Sequence, residues 1–444
     1  MAAPSCCASS SARKKQKPSP RRARDALVFA AGVAAAVLAL LGPASVLAPG
    51  RGQLIASPVI PGPEDGPRTF YDDPELSYDA VDGRRMTGWD AKRAAWLRSR
   101  GLGGRRRSAP ERVVMVSGSQ PEPCAGDAGD DLMLRFLKNK LDYCRLHGIE
   151  LLYNRDFLQP AMTYAWAKLP IVRAAMLAHP EAEWVWWVDS DAAFTDMDFY
   201  PPLATRYAGH NLVVHGDLER FFGKRSWLGL NTGVFLIRNC QWSLDLMDEW
   251  ARMGPAYPEH ERWGKVIMES LTEKGSPWSC DQSALVYLLL NNWERLGKKA
   301  YIETEYYLHG YWVDIMDRLD GVAERYEAVE RSTPGLRRRH AEREHARYAV
   351  ARNAAVGAAV PGPAGGGKWG WRRPFVTHFV GCQPCGGWRN PMYSKESCEG
   401  GMRRALGFAD DQVLRAYGFR HAAPLNDIVQ PLPFDYPAAH ARSN

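Results

Sequence analysis

Two kinds of apolar pattern occur along the chain. One is an uninterrupted run at residues 26–48; the other, from Glu111 onward, alternates short apolar blocks with amphipathic stretches. Val113–Ser119 is apolar and ends in small residues, as a buried parallel strand feeding a loop does. Asp130–His147 predicts a helix, with Leu134, Leu137, Leu141 and Cys144 as its apolar stripe and Gly148 as its C-cap. A strand at Ile149–Tyr153, a helix at Thr163–Ala178 and a strand at Glu183–Asp191 follow. Strand and helix alternating in this way predict a doubly wound α/β layer structure, with ligands beyond the carboxyl ends of its strands. Those ends are Ser117-Gly118-Ser119 and Asp189-Ser190-Asp191.

The pattern continues with strands at Asn211–His215, Gly233–Arg238 and Ala300–Glu303, and with helices at Trp242–Met253 and Asp281–Trp293. Glu324–Arg352 is so heavily charged that it predicts a solvated helix, and the Gly/Pro-rich stretch after it a flexible connection. A strand at Pro374–Phe379 and a helix at Asp410–Tyr417 close the ordered part.

The apolar run at 26–48 carries no charge and is long enough to cross a bilayer as a helix. The seven basic residues before it equal the net charge of +7, so the rest of the chain is neutral. By the positive-inside rule, residues 1–25 are then a cytosolic tail, 26–48 a signal-anchor, and everything later lies across the membrane. A cleaved signal peptide is the rival reading of the same segment. Residues 49–110, rich in Gly, Pro and Arg, predict a stem, and 111–437 a folded domain, with 324–373 as a charged, Gly/Pro-rich insert. A folded part without basic excess argues against a nucleic-acid partner. Seven cysteines follow residue 48, and an oxidising compartment would pair some of them near the C-terminus, with connectivity open.

Asp189 and Asp191, one residue apart at a strand end, can hold Mn2+ or Mg2+ and leave positions for phosphate oxygens. Asp-x-Asp alone is a weak motif; its place after the third strand of a nucleotide-binding-like sheet gives it weight. His378, on a distant apolar strand, is a core histidine unless that strand returns beside Asp191, where it would be a third ligand. His309 has the same ambiguity, among aromatic neighbours. Asp281 and Gln282 open a helix, where Asp281 is either a cap or a carboxylate aimed into the cleft. Asn231 stands in a tight turn or a sugar-facing loop. Trp227, Trp312 and Trp369 are candidate sugar platforms. No Ser-His-Asp ordering, P-loop or HExxH is present, which weighs against common hydrolases and kinases.

Six segments together carry a resemblance. WAKLP (166–170), HPEAEWVWWVDSDA (179–192), LNTGVFLIRNCQWSLDLMD (230–248), DQSALVYLL (281–289), YYLHGYW (306–312) and THFVGCQPC (377–385) resemble the plant branch of glycosyltransferase family 34. That branch includes xyloglucan xylosyltransferases and galactomannan galactosyltransferases. The resemblance implies a GT-A fold, meaning a Rossmann-like nucleotide-sugar-binding domain, in a single-pass type II Golgi membrane protein with a lumenal catalytic domain. It also implies a UDP-sugar donor, Mn2+, a polysaccharide acceptor, retention of anomeric configuration, and association with itself or with other glycosyltransferases.

Carried over by position, Asp189, Asp191 and His378 would hold the metal. Gly118, Ser119, Lys168, Ser190, Asn231, His309, Gly381 and Gln383 would contact the donor, and Asp281 and Gln282 would flank the reacting carbon. Two positions depart from the family pattern. Cys280 stands where an aspartate is usual, which keeps alive a catalytically silent partner subunit. Gln383 stands where the xylosyltransferases carry lysine, and with the C-terminal QPLPFDYP it points to the galactosyltransferase-like subgroup. The expectation is therefore α-1,6 galactosyl transfer from UDP-galactose to a β-1,4-linked cell-wall backbone, with xylosyl transfer to xyloglucan as the alternative.

Overall fold

A six-stranded mixed sheet carries the molecule, and each strand's burial follows from its composition. The computed structural model describes residues 77–78, 85–103, 111–124, 126–368, 370–423 and 427–435. The expected signal-anchor at 26–48, most of the stem and Trp369 lie outside them. Among the described residues no helix is long and apolar enough to cross a membrane.

In chain order the elements begin with α1 (Trp89–Ser99), β1 (Val113–Gly118), α2 (Asp127–His147), β2 (Glu150–Asn154), α3 (Lys168–Ala178), β3 (Trp184–Val188) and β4 (Ala192–Phe194). Then come β5 (Leu212–Gly216), β6 (Leu230–Arg238), α4 (Gln241–Ala251), α5 (His260–Ser270), α6 (Asp281–Asn291), α7 (Trp293–Leu296), β7 (Ala300–Glu303) and β8 (Gly310–Tyr311). The last are α8 (Leu319–Ser332), α9 (His345–Ala359), β9 (Val376–His378), α10 (Lys395–Tyr417), β10 (Phe419–His421) and β11 (Val429–Pro431).

The large sheet runs β2-β1-β3-β6-β5-β7. β2, β1 and β3 are parallel, β6 is antiparallel to both its neighbours, and β5 and β7 are again parallel. The first three strands thus form the expected βαβαβ unit, and the reversal at β6 makes the sheet mixed. β3 (WVWWV) is buried along its whole length, because helices or loops cover both its faces. Its side chains divide between two apolar clusters, Val185 and Trp187 on one side, Trp184, Trp186 and Val188 on the other.

A second sheet decides where the chemistry sits. β4, immediately after Asp189-Ser190-Asp191, pairs antiparallel with β9, and β9 pairs parallel with β8. Ala192 faces His378 and Tyr311 faces His378 in register. The distant apolar strand does return beside Asp191.

Several expected features differ. The buried stripe of α2 is Leu132, Phe136, Asn139, Lys140, Tyr143 and Cys144, whereas Leu134 and Leu141 are exposed. Both stripes have helical spacing; packing against β4 selected the one that carries polar groups. The charged stretch is not a solvated helix. Its Glu330 is buried with Asp198 and Arg373, and the largely enclosed Arg352 bridges Glu330 (2.7 Å) and Asp198 (2.9 Å). Part of the stretch read as stem is folded: α1 docks through Trp89, fully buried, whose indole donates to Asn239 (2.8 Å). Among the described residues the cysteines pair as Cys124–Cys385 and Cys382–Cys398, leaving Cys144, Cys240 and Cys280 as thiols. Both cysteines of the C-x-x-C are therefore spent in disulfides and offer no thiolate to a metal.

Candidate active site

Four elements converge at the carboxyl end of β3. β3 delivers Asp189 and the turn to Asp191, β9 delivers His378, the first turn of α6 delivers Asp281, and the start of α3 delivers Lys168. His378 Nε2 lies 3.1 Å from Asp191 Oδ1 and 3.8 Å from Asp189 Oδ2. One ligand atom from each of these three residues falls within 4.8 Å of the others. His378 is almost fully buried, while Asp189 and Asp191 keep 27% and 17% of their side chains open, so the carboxylates form the accessible face.

Two carboxylates with one imidazole are compatible with a divalent cation. The nitrogen favours a transition ion such as Mn2+ over Mg2+, which prefers oxygen throughout. Burial, together with the like charge of Asp191, raises the Asp189 pKa despite Lys168 and His378, so negative charge here is in want of a counter-ion.

Lys168 is fully enclosed between carboxylates. Its ammonium lies 2.9 Å from Asp281 Oδ2 and 3.3 Å from Asp189 Oδ1, and donates to the Thr232 carbonyl at 3.1 Å. Burial opposes its charge, but Asp189 and Asp281 outweigh that and raise its pKa. Its three donors are thus occupied within the protein, so it acts on charge in the cleft through the carboxylates it holds. Asp281 Oδ2 also accepts from Thr232 Oγ1 (2.7 Å), and its main-chain oxygen accepts from the Trp250 indole (2.8 Å). Asp281 is therefore more than a helix cap.

Gly233 is a glycine because of this cluster. A Cβ there would collide with the His378 ring and come within 2.8 Å of Asp189 Oδ2. Its carbonyl accepts from the Asp189 N–H at 2.8 Å. Asn231 sits inside β6, two residues earlier, where its side chain caps the Gly233 N–H (2.8 Å). His309 packs edge-on against His378, ring centroids 4.8 Å apart, and burial pushes its pKa well down.

The remaining sequence-predicted residues ring this centre at different distances. Gly118 and Ser119 stand at the end of β1, next to β3 on the same sheet edge; a Cβ on Gly118 would press on the Asn154 carbonyl at 2.6 Å. Gly381 takes φ +85°, which suits only glycine well, and its carbonyl accepts from Asn390 N. Gln282 is bonded to the loop before β6 and to none of the carboxylates, donating to the Trp227 carbonyl (3.2 Å). Gln383 is exposed in the disulfide-bound turn, its N–H bonded to Trp388 O. Trp312 is 6% exposed and packs on Phe379, which makes it core and not a platform.

One participant had no sequence signal. Lys140, fully buried in α2, donates to the carbonyls of Ser190 (3.1 Å) and Ala192 (2.8 Å) and so clamps the turn on either side of Asp191. Burial depresses its pKa to about 7, and the nearby Asp191 and Asp189 charges limit the fall.

A mixed α/β layer with an acidic cluster at a strand's carboxyl end defines a class, and the comparisons supply its members. The galactosyl transferase GMA12/MNN10 family matches residues 109–389, and the chain belongs to that family. It is a glycosyltransferase. It is 61% identical to "Probable glycosyltransferase 6" of Oryza sativa subsp. indica, covering 94% of this chain and 92% of the relative. It is 57% identical to "Probable glycosyltransferase 7" of the same plant, over 95% and 93%. It is 50% identical to Galactomannan galactosyltransferase 1 of Cyamopsis tetragonoloba, over 84% and 82%.

Proposed function

We propose that the chain is a metal-dependent, retaining transferase of GT-A type that moves galactose from UDP-galactose onto the 6-hydroxyl of a β-1,4-linked cell-wall polysaccharide. The observation that carries this reading is the meeting of Asp189, Asp191 and His378 from strands far apart in sequence, beside the Lys168–Asp281 pair. Asp189, Asp191 and His378 would hold Mn2+, which when bound supplies positive charge to the leaving diphosphate. Lys168 holds Asp189 and Asp281 in place at the donor's edge. Asp281 is held by Thr232 and Lys168 as a positioned charge, and this reading needs no enzyme nucleophile. The acceptor hydroxyl then attacks the anomeric carbon of the donor from the face that the diphosphate leaves, the bond to the diphosphate breaking and a phosphate oxygen taking the hydroxyl proton, a route that retains configuration without a covalent enzyme intermediate.

Galactose as donor is supported by the relative named for galactomannan and by Gln383 in place of lysine. Cys280 bears on the silent-partner alternative. Its thiol occupies the N-cap of α6, 3.3 Å from Ser283 Oγ, and burial, reinforced by Asp281, raises its pKa and keeps it neutral. The residue replaced there serves the cap, while the four charged groups of the cluster are all present. The apolar run at 26–48, with basic residues before it, supports a type II Golgi anchor, followed by a stem within 49–110 that ends where α1 packs on the lumenal domain, which spans 111–437 and includes the insert at 324–373.

The test is transfer by the full chain to mannan and glucan oligosaccharides with UDP-galactose and UDP-xylose, in Mn2+ and in chelator. Galactosyl transfer to mannan that chelator abolishes is expected. Xylosyl transfer alone would replace the donor assignment, and no transfer or hydrolysis of either donor would favour the silent partner.

A further inference from the structure

A second charged cavity lies where the segment after α8 meets α10 and the C-terminal strand. It encloses about 50 Å3, and shares no lining residue with the acidic cluster. A single water needs about 10–15 Å3 on this measure, so the cavity has room for a group of several heavy atoms. Arg337, Arg338 and Arg339 line it together with Arg352, Arg373 and Arg415. Three carboxylates oppose these six guanidiniums: Asp198, Glu330 and Glu342.

The carboxylates are already committed. Asp198 takes Arg352 and Arg373, Glu330 takes Arg352 and Arg415, and Glu342 pairs with Arg145, outside the cavity. Asp435, 4.0 Å from Arg338, and Asp411, 3.5 Å from Arg415, add to them from outside the wall, and the six guanidiniums still outnumber these five carboxylates. The field of the positive charge is visible at His340, also on the wall, whose pKa falls to about 4 through burial and then through Arg352. At the rim, Arg338 and Arg339 both lie over the Phe434 ring, at 4.4 and 4.8 Å, which fixes their planes. The Arg339 Nε is buried and donates to nothing. The Arg338 side chain is 67% exposed, so the cavity opens to solvent.

We propose that this cavity is a binding site for a phosphate group. Several fixed guanidinium planes around a space of this size suit a tetrahedral dianion, which accepts hydrogen bonds in every direction, better than a single carboxylate. The phosphate comes either from the free inorganic ion or from a nucleoside diphosphate, and the site is independent of the reaction proposed above.

The experiment is calorimetric titration of the full chain carrying Asp191→Asn, in chelator, which removes the acidic cluster from the measurement. Inorganic phosphate, uridine diphosphate and chloride are the titrants. Saturable binding of one phosphate per chain is expected, weakened about tenfold by Arg339→Gln, the loss of one charge-assisted bond. Arg338→Gln, on the surface, gives a second reading that does not depend on the core, and should weaken binding severalfold. Uridine diphosphate binding more than tenfold tighter than phosphate would name the nucleotide as the source, and equal affinities the free ion. Heat no larger than that of chloride, or phosphate binding untouched by both substitutions, would overturn the assignment.

Discussion

Two clusters of buried charge flank β4, and they are balanced in opposite ways. Before it, Asp189, Asp191 and Asp281 outnumber Lys168, and two of the carboxylates remain partly open to solvent. After it, Asp198 and Glu330 are closed in by Arg352, Arg373 and Arg415, and both carboxylates have pKa values held below the ordinary range by those arginines, against the effect of burial. The pairs around Asp198 and Glu330 tie α8, α9 and α10 to the sheet, and the surplus of that region lies outside them, at Arg337, Arg338 and Arg339. The first cluster has charge left over, facing outward. A surplus of one sign at an open site marks a place for a ligand; a paired set at a closed one marks a joint.

The largest test of this contrast is Asp191→Asn. Removing a carboxylate from the surplus cluster should cut transfer by about 1,000-fold or more and leave the urea midpoint unchanged or raised, because like-charge repulsion is relieved. A drop in stability as large as the loss of activity would show the cluster to be structural. The converse is Arg352→Met. It strands Asp198 and Glu330 with one arginine fewer, so the chain should lose about 3–5 kcal/mol in denaturant unfolding, with metal affinity of the surviving folded fraction intact.

Lys140 sits between the two behaviours, a buried cation serving backbone carbonyls. Its folded pKa of about 7 lies below that of an unfolded lysine, near 10.5. Between those values the unfolded chain binds more protons than the folded one, so stability rises with pH across the window, and below about pH 7 the cost is fully present. Relative to Lys140→Met, the wild type should therefore gain up to about 1.4 kcal/mol per pH unit as pH is raised from 7 toward 10. Parallel unfolding curves at pH 7, 8 and 9 check it, and a difference that stays flat would place the lysine's pKa elsewhere. Gly233→Ala comes next in size. The added methyl must displace His378 or Asp189, so Mn2+ affinity should fall about 10–100-fold, or roughly 1.4–2.7 kcal/mol, as read by titration calorimetry.

What could be read from the sequence follows the same division. Asp189-Ser190-Asp191 was legible because a local pattern, an all-apolar strand ending in carboxylates, carries its own address. His378 was legible only conditionally: nothing local says that β9 pairs with β4 across 180-odd residues, and that pairing turns a core-like histidine into a member of the site. Lys140 was hidden by competing stripes on α2, where leucines at helical spacing face solvent and a lysine faces the core. The charged stretch after Glu324 was misread for a related reason. Charge predicts exposure only where no partner exists, and its partners, Asp198, Arg373 and Arg415, come from three other parts of the chain.

The smallest effect is expected at Cys280, and it is the most discriminating. In the family pattern an aspartate stands here, and if it belonged to the catalytic charge, its loss would have emptied the surplus cluster of one member. The geometry argues otherwise. Cys280 precedes the first residue of α6, its N–H accepted by Ser283 Oγ at 3.2 Å and its thiol turned to the same hydroxyl, while Asp281 reaches Lys168 and Thr232. An aspartate at an N-cap accepts from the helix's free N–H groups and complements its dipole. Cys280→Asp should therefore stabilise the chain by about 0.5–1 kcal/mol and change transfer by less than about threefold. A rise of a hundredfold or more would put the missing carboxylate in the chemistry and make the natural thiol the lesion of a silent protein.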